Sequence, residues 1–167
     1  MTLPTIDQLN TLPIEDFTRT TSLLFEPTPT LANHLFARRP YSSYDVFLNT
    51  ATELTKNLPF DDRLEIINAH PRIGAAKQGL SALSKKEQST GGDDPATNAK
   101  LHDLNDLYEQ KFGFRFVVFV AGRARKEIIP VLEERLKNTR DEELNKGLEE
   151  MMAIAWDRLK KLTAESE

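Results

Sequence analysis

The stretch LNKGLEEMMAIAWDRLKKL, residues 144–162, carries the most regular helical pattern in the chain. Its apolar residues recur at intervals of three and four positions, which places them along one face of an α-helix. The pattern therefore predicts a long amphipathic helix that buries this face in a helical core. The stripe consists of Leu144, Leu148, Met151, Ala155, Leu159 and Leu162.

Arg158 lies close to that apolar stripe. With a turn of about 100° per residue, it falls about 60° from the centre of the stripe, whereas Lys160 and Lys161 fall on the outer side. The pattern alone favours an arginine that covers the edge of the core with its aliphatic stem. The alternative is a clamp for an anion or a carbonyl group.

The run FGFRFVVFV, residues 112–120, has the aromatic and β-branched composition of a buried strand, and no second run of this kind occurs. A single strand cannot form a sheet. The sequence therefore predicts an all-α fold, a single compact multi-helix domain over residues 1–167, with one extended core segment near residues 112–120. A chain of 167 residues is long enough for one such core.

Prolines divide the first part of the chain into short helices. A helix from about Ile14 to Leu24 is expected to end at EPTPT, residues 26–30, and a second interruption is expected at RRPYSS, residues 38–43. A further helix should begin near Phe60, with Asp61 as its N-cap, and Pro71 should stop it.

Three more helices are predicted before the C-terminal one. The first begins at Ser84, and the second follows a glycine turn and runs through ATNAKLHDLNDLYEQKFG, residues 96–113. The third covers about Lys126 to Asn138, where Pro130 is tolerable only near the first turn.

His70 stands where the Phe60 helix must end, in NAHPRIGAAK, residues 68–77. A helix C-terminus stabilises the charged imidazole and tends to raise the histidine pKa toward working pH, which suits a general acid or base. The side chain could equally bond a carbonyl group at the helix end. The residues alone leave these two readings open.

Ser84, Glu87 and Gln88 share one helix face, since they are three and four positions apart. Together they could hold a small polar ligand. A capping box explains Ser84 and Glu87 just as fully, and the pattern alone favours it.

Composition excludes several kinds of site. With no cysteine, the chain has no thiolate nucleophile and no disulfide, and a formal net charge of −4 argues against nucleic-acid binding. The three histidines, His34, His70 and His102, form no metal-binding motif, so no metal is expected. No phosphate loop, dinucleotide fingerprint or hydrolase elbow occurs. Acid–base chemistry without a cofactor remains, or a non-catalytic helical module.

Targeting signals are not apparent in the sequence. The N-terminal residues show no basic segment followed by an apolar core, no run approaches the roughly 20 apolar residues of a membrane span, and TAESE at the end is not a peroxisomal tripeptide. The expectation is a cytoplasmic protein without a membrane partner, with the peroxisome left open.

Four blocks together resemble the OHCU decarboxylase family, where OHCU is 2-oxo-4-hydroxy-4-carboxy-5-ureidoimidazoline. The resemblance runs from about residue 10 to 163, with the blocks in the family's order. It implies an all-helical, usually dimeric enzyme without cofactor that takes OHCU as its small-molecule substrate and releases (S)-allantoin in urate degradation. The blocks are NAHPRIGAAK (68–77), LSKKEQSTGGDD (83–94), LNDLYEQKFGFRFVVFVAG (104–122) and EEMMAIAWDRLKKL (149–162).

The resemblance also implies roles for individual residues. His70 becomes the catalytic acid/base, Pro71 shapes the pocket beside it, and Glu87 and Arg158 join His70 as catalytic residues. An extended backbone would offer unpaired N–H and C=O groups to a ureido ligand. The substrate-binding residues implied are Pro71, Ser84, Lys85, Lys86, Glu87, Gln88, Phe116, Val117, Val118, Phe119 and Val120.

The chain departs from the family pattern at two places. Arg115 stands where the family often has proline, and Thr90-Gly91 where it often has alanine-glycine. Arg115 could change the backbone path or the specificity. Two alternatives therefore stay open: a helical binding module of this fold without activity, and a decarboxylase of a related ureido or imidazoline acid.

Overall fold

The computed structural model describes residues 2–74 and 94–166, except for the side chains of residues 164–166. These residues form α-helices and, over the described ranges, no β-strand. The all-α fold class is therefore confirmed for this part of the chain. The helices are α1 (Ile6–Leu9), α2 (Ile14–Phe25), α3 (Pro29–Ala37), α4 (Tyr44–Asn57), α5 (Phe60–Asn68), α6 (Pro95–Phe112), α7 (Arg125–Arg135) and α8 (Arg140–Ser166).

The predicted helix that begins at Ser84 lies outside the described residues, as do Lys85, Lys86, Glu87, Gln88 and Thr90-Gly91.

The chain divides into two compact units. Unit 1 consists of Met1–Ala69 with Met151–Glu167, and unit 2 is His70–Glu150. The single domain over residues 1–167 stays a prediction.

Unit 1 is built around α3, which packs against α2, α4 and α5. The fully buried Phe17 ring meets Phe36 and Phe47 edge-on, with ring centroids 5.5 and 6.2 Å apart, an arrangement that aromatic pairs prefer. The predicted proline interruptions occur: α2 ends at Phe25, and Pro29 is the first residue of α3, where its missing N–H costs no helical hydrogen bond.

Helix α5 begins differently from the prediction. Its N-cap is Pro59, in an extended conformation, and no side chain caps it. The prediction of Asp61 as N-cap was wrong. Asp61 lies inside the first turn together with Asp62, where acidic side chains interact favourably with the helix dipole.

In unit 2, α6 packs against α7. Helix α6 begins after Asp94, whose side chain accepts a hydrogen bond from the N–H of Ala96, and ends at Gly113, whose φ of 82° closes the helix. Helix α7 begins at Arg125 and contains Pro130 as its sixth residue. The expectation that Pro130 would lie near the first turn was therefore off by about one turn.

Helix α8 confirms the amphipathic pattern, because every residue of the predicted stripe is buried. Its start is fixed by a capping box that the sequence reading overlooked. The Glu142 N–H donates to Thr139 Oγ1 at 3.2 Å, and the Thr139 N–H donates to Glu142 Oε1 at 3.1 Å. Since Thr139 caps α8, α7 must stop earlier than the predicted Asn138.

A buried carboxylate organises unit 2. Glu143 is 0% exposed, and its Oε1 accepts hydrogen bonds from the Tyr108 hydroxyl at 2.6 Å and from Arg135 Nε at 2.8 Å. Asn138 donates to its other oxygen at 2.8 Å. Burial, reinforced by the hydrogen bond to Glu143, raises the pKa of Tyr108 above its ordinary range. The phenol therefore stays protonated and donates its hydrogen bond to Glu143.

Replacing Glu143 with Gln should destabilise the protein by about 3–5 kcal/mol, because the buried Arg135 charge would lose its counter-charge. Urea unfolding measures the difference in the free energy of unfolding. The matched control is Glu134→Gln, which removes a carboxylate from an exposed pair with Lys137 (2.9 Å) and should have a far smaller effect. Equal losses in the two variants would contradict the role given to Glu143.

Candidate functional site

His70 follows directly after the end of α5. The N–H of Ala69, the C-cap residue, donates to the carbonyl oxygens of Glu65 and Ile66. His70 then forms a bend, because the ring of Pro71 disfavours helical backbone at the preceding residue. The histidine is 4% exposed. The predicted position at the helix end is confirmed, and the imidazole is buried there.

The residues His70–Gly74, which we call the histidine segment, are tied to other parts of unit 2. Arg115 Nη1 donates to the carbonyl oxygen of His70 at 3.1 Å. Asn105 Nδ2, buried in α6, donates to the carbonyl oxygen of Ile73 at 3.1 Å. The side chains of Asn105 in α6 and of Arg115 therefore fix the backbone on both sides of Pro71.

Arg72 adds an electrostatic attachment to α6. Its Nη2 donates to Asp106 Oδ1 at 2.6 Å and also to the Glu109 carboxylate. Burial opposes the charge on Arg72, but hydrogen bonds to Glu109 and Asp106 raise its pKa. The hydrogen bond from Arg72 lowers the pKa of Asp106; burial opposes this shift, and the charges of His102 and Arg72 favour it.

Arg115 has a structural role. Besides its bond to His70, its Nε lies 3.8 Å from Glu109 Oε1. Glu109 thus lies close to both Arg72, which belongs to the histidine segment, and Arg115, which bonds the backbone of that segment. The charge at position 115 supports the backbone of His70 in a way that a proline could not.

The predicted extended segment has neither helix nor strand over residues 115–120. Phe116, Val117 and Val118 are buried, whereas Phe119 and Val120 are partly exposed. Arg135 Nη1 donates to the Val117 carbonyl oxygen at 2.6 Å, and its guanidinium lies 4.5 Å from the centre of the Phe116 ring.

The expectation that this segment has unpaired backbone groups was wrong for three of its carbonyl groups. The Val117 carbonyl is taken by Arg135, and Arg123 donates to the carbonyl oxygens of Phe119 at 2.6 Å and Val120 at 2.9 Å. Buried backbone groups outside helices and strands need side-chain or other hydrogen-bond partners. Here the donors to these three carbonyls are arginine side chains. Arg135 and Arg123 therefore hold the shape of the segment.

Arg158 is 2% exposed, which confirms the inward direction predicted by the helical wheel. Its Nη2 donates to Glu26 Oε1 at 2.9 Å, and its Nη1 lies 3.5 Å from the carbonyl oxygen of Leu24. The neighbouring Asp157 instead pairs with Lys161 at 2.8 Å. Between these two residues of the C-terminal helix, Arg158 is the one whose charge is buried.

The structure describes some of the predicted site residues together and others apart. His70, Pro71 and residues 116–120 belong to unit 2, where Arg115 links the histidine to the segment that follows it. Arg158 belongs to unit 1. The predicted residues outside the described ranges are Ser84, Lys85, Lys86, Glu87 and Gln88. That all of them form one site stays a prediction.

Several residues around the predicted site were missed by the sequence reading. Glu26 was seen only as part of a proline-rich interruption, and Asn105, Arg72 and Glu143 were not singled out. The capping box of Thr139 and Glu142 was also missed, although its T-x-x-E pattern is a signal that can be read from the sequence. Pairs such as Arg158 with Glu26, 132 positions apart, leave none in a single sequence.

Within residues 2–74 and 94–166, no three histidine, aspartate or glutamate side chains come together in a way that could hold a metal ion. In the same residues no helix is both long and apolar enough to cross a lipid bilayer.

Comparison with known proteins gives a consistent result. The sequence model of the OHCU decarboxylase family matches residues 10–160. The 2-oxo-4-hydroxy-4-carboxy-5-ureidoimidazoline decarboxylase of Halalkalicoccus jeotgali is 30% identical over 166 residues, with 98% of this chain and 94% of that protein covered. The uric acid degradation bifunctional protein of Bacillus sp. is 31% identical over 97% of this chain, which spans only 33% of that protein.

A solved structure is similar as well. The crystal structure of an OHCU decarboxylase in the presence of (S)-allantoin superposes with a TM-score of 0.68 at 28% identity. The match covers 81% of this chain and 92% of that one.

Replacing Asp106 with Asn should weaken the attachment of the histidine segment in a pH-dependent way. The pKa of Asp106 is lowered from 3.8 in the folded protein, so its ionised form stabilises the fold above that value. This contribution disappears as the pH falls through the lowered pKa. The stability difference between wild type and variant, measured by urea unfolding, should be largest near neutral pH and shrink below 3.8.

The matched control is Asp103→Asn, which removes one charge from an exposed position of the same helix. A difference for Asp106→Asn that stays constant over the whole pH range would contradict the pairing of Asp106 with Arg72.

Proposed function

We propose that this chain, which belongs to the OHCU decarboxylase family of carboxy-lyases, converts OHCU into CO2 and (S)-allantoin during urate degradation. The observation that carries the proposal is the match of the family model to residues 10–160. The related protein of Halalkalicoccus jeotgali, which is of similar length, bears the name of this activity.

The substrate can lose CO2 without a metal or an organic cofactor. Its ring carbon bears a hydroxyl and a carboxylate beside a C=N bond. When the carbon–carboxylate bond breaks, its electron pair forms a double bond to the neighbouring ring carbon, the C=N pair moves onto the ring nitrogen, which takes up a proton, and CO2 leaves. The enol formed in this way then loses its hydroxyl proton and becomes a carbonyl, while a proton is added at the ring carbon that bears the ureido group. Donors placed around the ring would stabilise the spreading charge more than the ground state.

His70 is proposed as the group that manages the proton. A general acid or base must be held at a fixed position relative to the reacting atoms. The support is geometric: the histidine is 4% exposed, and its carbonyl oxygen accepts a hydrogen bond from Arg115 at 3.1 Å. Pro71 is proposed to shape the pocket beside it. Delivery of the proton from one face would give a single enantiomer of allantoin.

The other roles follow from the family's pattern. Glu87 is proposed to accept hydrogen bonds from ring or ureido N–H groups, with Ser84, Lys85, Lys86 and Gln88 beside it. Arg158 would balance negative charge on the substrate. Residues Phe116 to Val120 would form a wall of the pocket, and the arginine bonds to the Val117, Phe119 and Val120 carbonyls support a fixed wall.

Assembly and compartment are proposed on the family resemblance alone. We propose a homodimer, for which light scattering should give twice the mass of one chain. A cytoplasmic location is proposed, with the peroxisome as the alternative.

The His70→Asn variant should lose activity by a factor of about 10²–10⁴, the usual contribution of general acid–base catalysis. The substrate is made from urate by the two preceding reactions, and its disappearance is followed by ultraviolet absorbance against spontaneous decay. The control is His34→Asn in α3, which should leave the rate unchanged.

Near-normal turnover by His70→Asn would exclude His70 as the acid or base. A wild-type protein that never exceeds the spontaneous rate would favour the binding module. Weak activity on OHCU with faster turnover of a related ureido or imidazoline acid would favour the second alternative.

The Glu87→Gln variant separates a binding role from a capping role. Glutamine can replace glutamate in a capping box, so helix content and stability should change little. Loss of the charged acceptor should nevertheless reduce kcat/KM by about 10²–10³. Circular dichroism and steady-state kinetics on the same sample measure both effects. Unchanged kinetics would leave Glu87 with only the capping role.

A further inference from the structure

Glu26 combines two features that are rarely found in one glutamate. It is 3% exposed, and its backbone has φ 69° and ψ 159° at the end of α2. Positive φ is unfavourable for a side chain without the local hydrogen bonding of asparagine or aspartate. Such conformations persist where the surrounding structure fixes them, and they are frequent at functional sites.

The surroundings of Glu26 fix this conformation. Its carbonyl oxygen accepts a hydrogen bond from the Thr28 hydroxyl at 2.9 Å, and Thr28 is itself buried. Pro27 follows it, and a residue before proline is kept out of the helical region. As a result the chain turns sharply after α2 with the Glu26 carboxylate directed at Arg158.

Arg158 contacts this turn through two nitrogens. Nη2 donates to Glu26 Oε1 at 2.9 Å, while Nη1 lies 3.5 Å from the Leu24 carbonyl oxygen in the last turn of α2. The two side chains of the ion pair are 2% and 4% exposed. A planar guanidinium with two contacts of this kind has little freedom to rotate.

Stability alone gives a weak reason for this arrangement. Buried ion pairs can often be replaced by apolar residues of similar size without loss of stability. A glycine at position 26 would relieve the backbone. With its backbone held in this strained conformation, Glu26 gives the Arg158 guanidinium a fixed direction and a counter-charge.

We propose that Glu26 is a positioning residue that fixes the direction of the Arg158 guanidinium and balances its charge for the decarboxylation. The inference rests on the proposed function, in which Arg158 acts on the substrate. During loss of CO2, negative charge leaves the carboxylate and spreads into the ring. An arginine without a counter-charge would hold the substrate carboxylate most strongly in the ground state, which does not speed the chemical step.

A double-mutant cycle tests the inference with Glu26→Gln, Arg158→Gln and the variant that carries both substitutions. Glu26→Gln should lower kcat by about tenfold or more and change KM by less than about threefold, because a misdirected group is felt mainly in the transition state. In the Arg158→Gln background, Glu26→Gln should cause no further loss of kcat, since the residue through which it acts is gone.

Folding is measured separately. Urea unfolding of each variant gives the folded fraction, and kcat is expressed per folded molecule. The double variant contains two neutral amides instead of one buried unpaired charge, so it should be no less stable than either single variant. The matched control is Asp157→Asn, which removes a carboxylate paired with Lys161 next to Arg158 and should leave kcat unchanged.

The outcomes are distinct. Multiplying losses in the double variant, or a normal kcat per folded molecule in Glu26→Gln, would overturn the positioning role while leaving the proposed function intact. A wild-type protein without any acceleration would overturn both. Loss of kcat in Glu26→Gln together with no further loss in the double variant would support the positioning role.

Discussion

A charge removed from water is destabilising by several kcal/mol unless an opposite charge and hydrogen bonds replace the water. In the part of the chain that the structure describes, both units contain a buried carboxylate that meets this condition through a buried arginine. In unit 2, Glu143 bonds Arg135 at 2.8 Å, and in unit 1, Glu26 bonds Arg158 at 2.9 Å. Because these pairs need their geometry to be kept, they also fix the irregular backbone next to them: residues 116–118 in one unit and the turn after α2 in the other.

The histidine segment is also held by an arginine–carboxylate pair, but the side chains of this pair, Arg72 and Asp106, are partly exposed. Pro71 ends the helix before His70, and the backbone that follows is fastened to α6 by Asn105 and Arg72 and to Arg115 by a bond to the histidine carbonyl. Each contact is modest in energy, but together they restrict a residue whose proposed role needs a defined position. Arg115, where the sequence resemblance led us to expect proline, contributes one of these contacts.

Local patterns in the sequence were sufficient for several helix ends and for the buried face of α8. The stripe of α8, the glycine end of α6 and the proline stop before His70 all act over one or two turns, and such local signals can be read from one chain. Errors occurred at helix ends. Asp61 was predicted as the N-cap of α5, but the N-cap is Pro59. Helix α7 was predicted to run to Asn138, but it ends at Arg135, before the residue that caps α8. The Arg158 direction was predictable from the wheel, but its partner Glu26 was not, because pairing over 132 positions depends on the fold.

The proposed activity of this chain is the loss of CO2 from OHCU with the protonation that follows. The most direct measurement is the circular dichroism of the product formed from freshly generated substrate in the presence of the wild-type protein. A signal of (S)-allantoin that grows at a rate proportional to protein concentration is expected. A product without circular dichroism, formed at the rate of spontaneous decay, would contradict it.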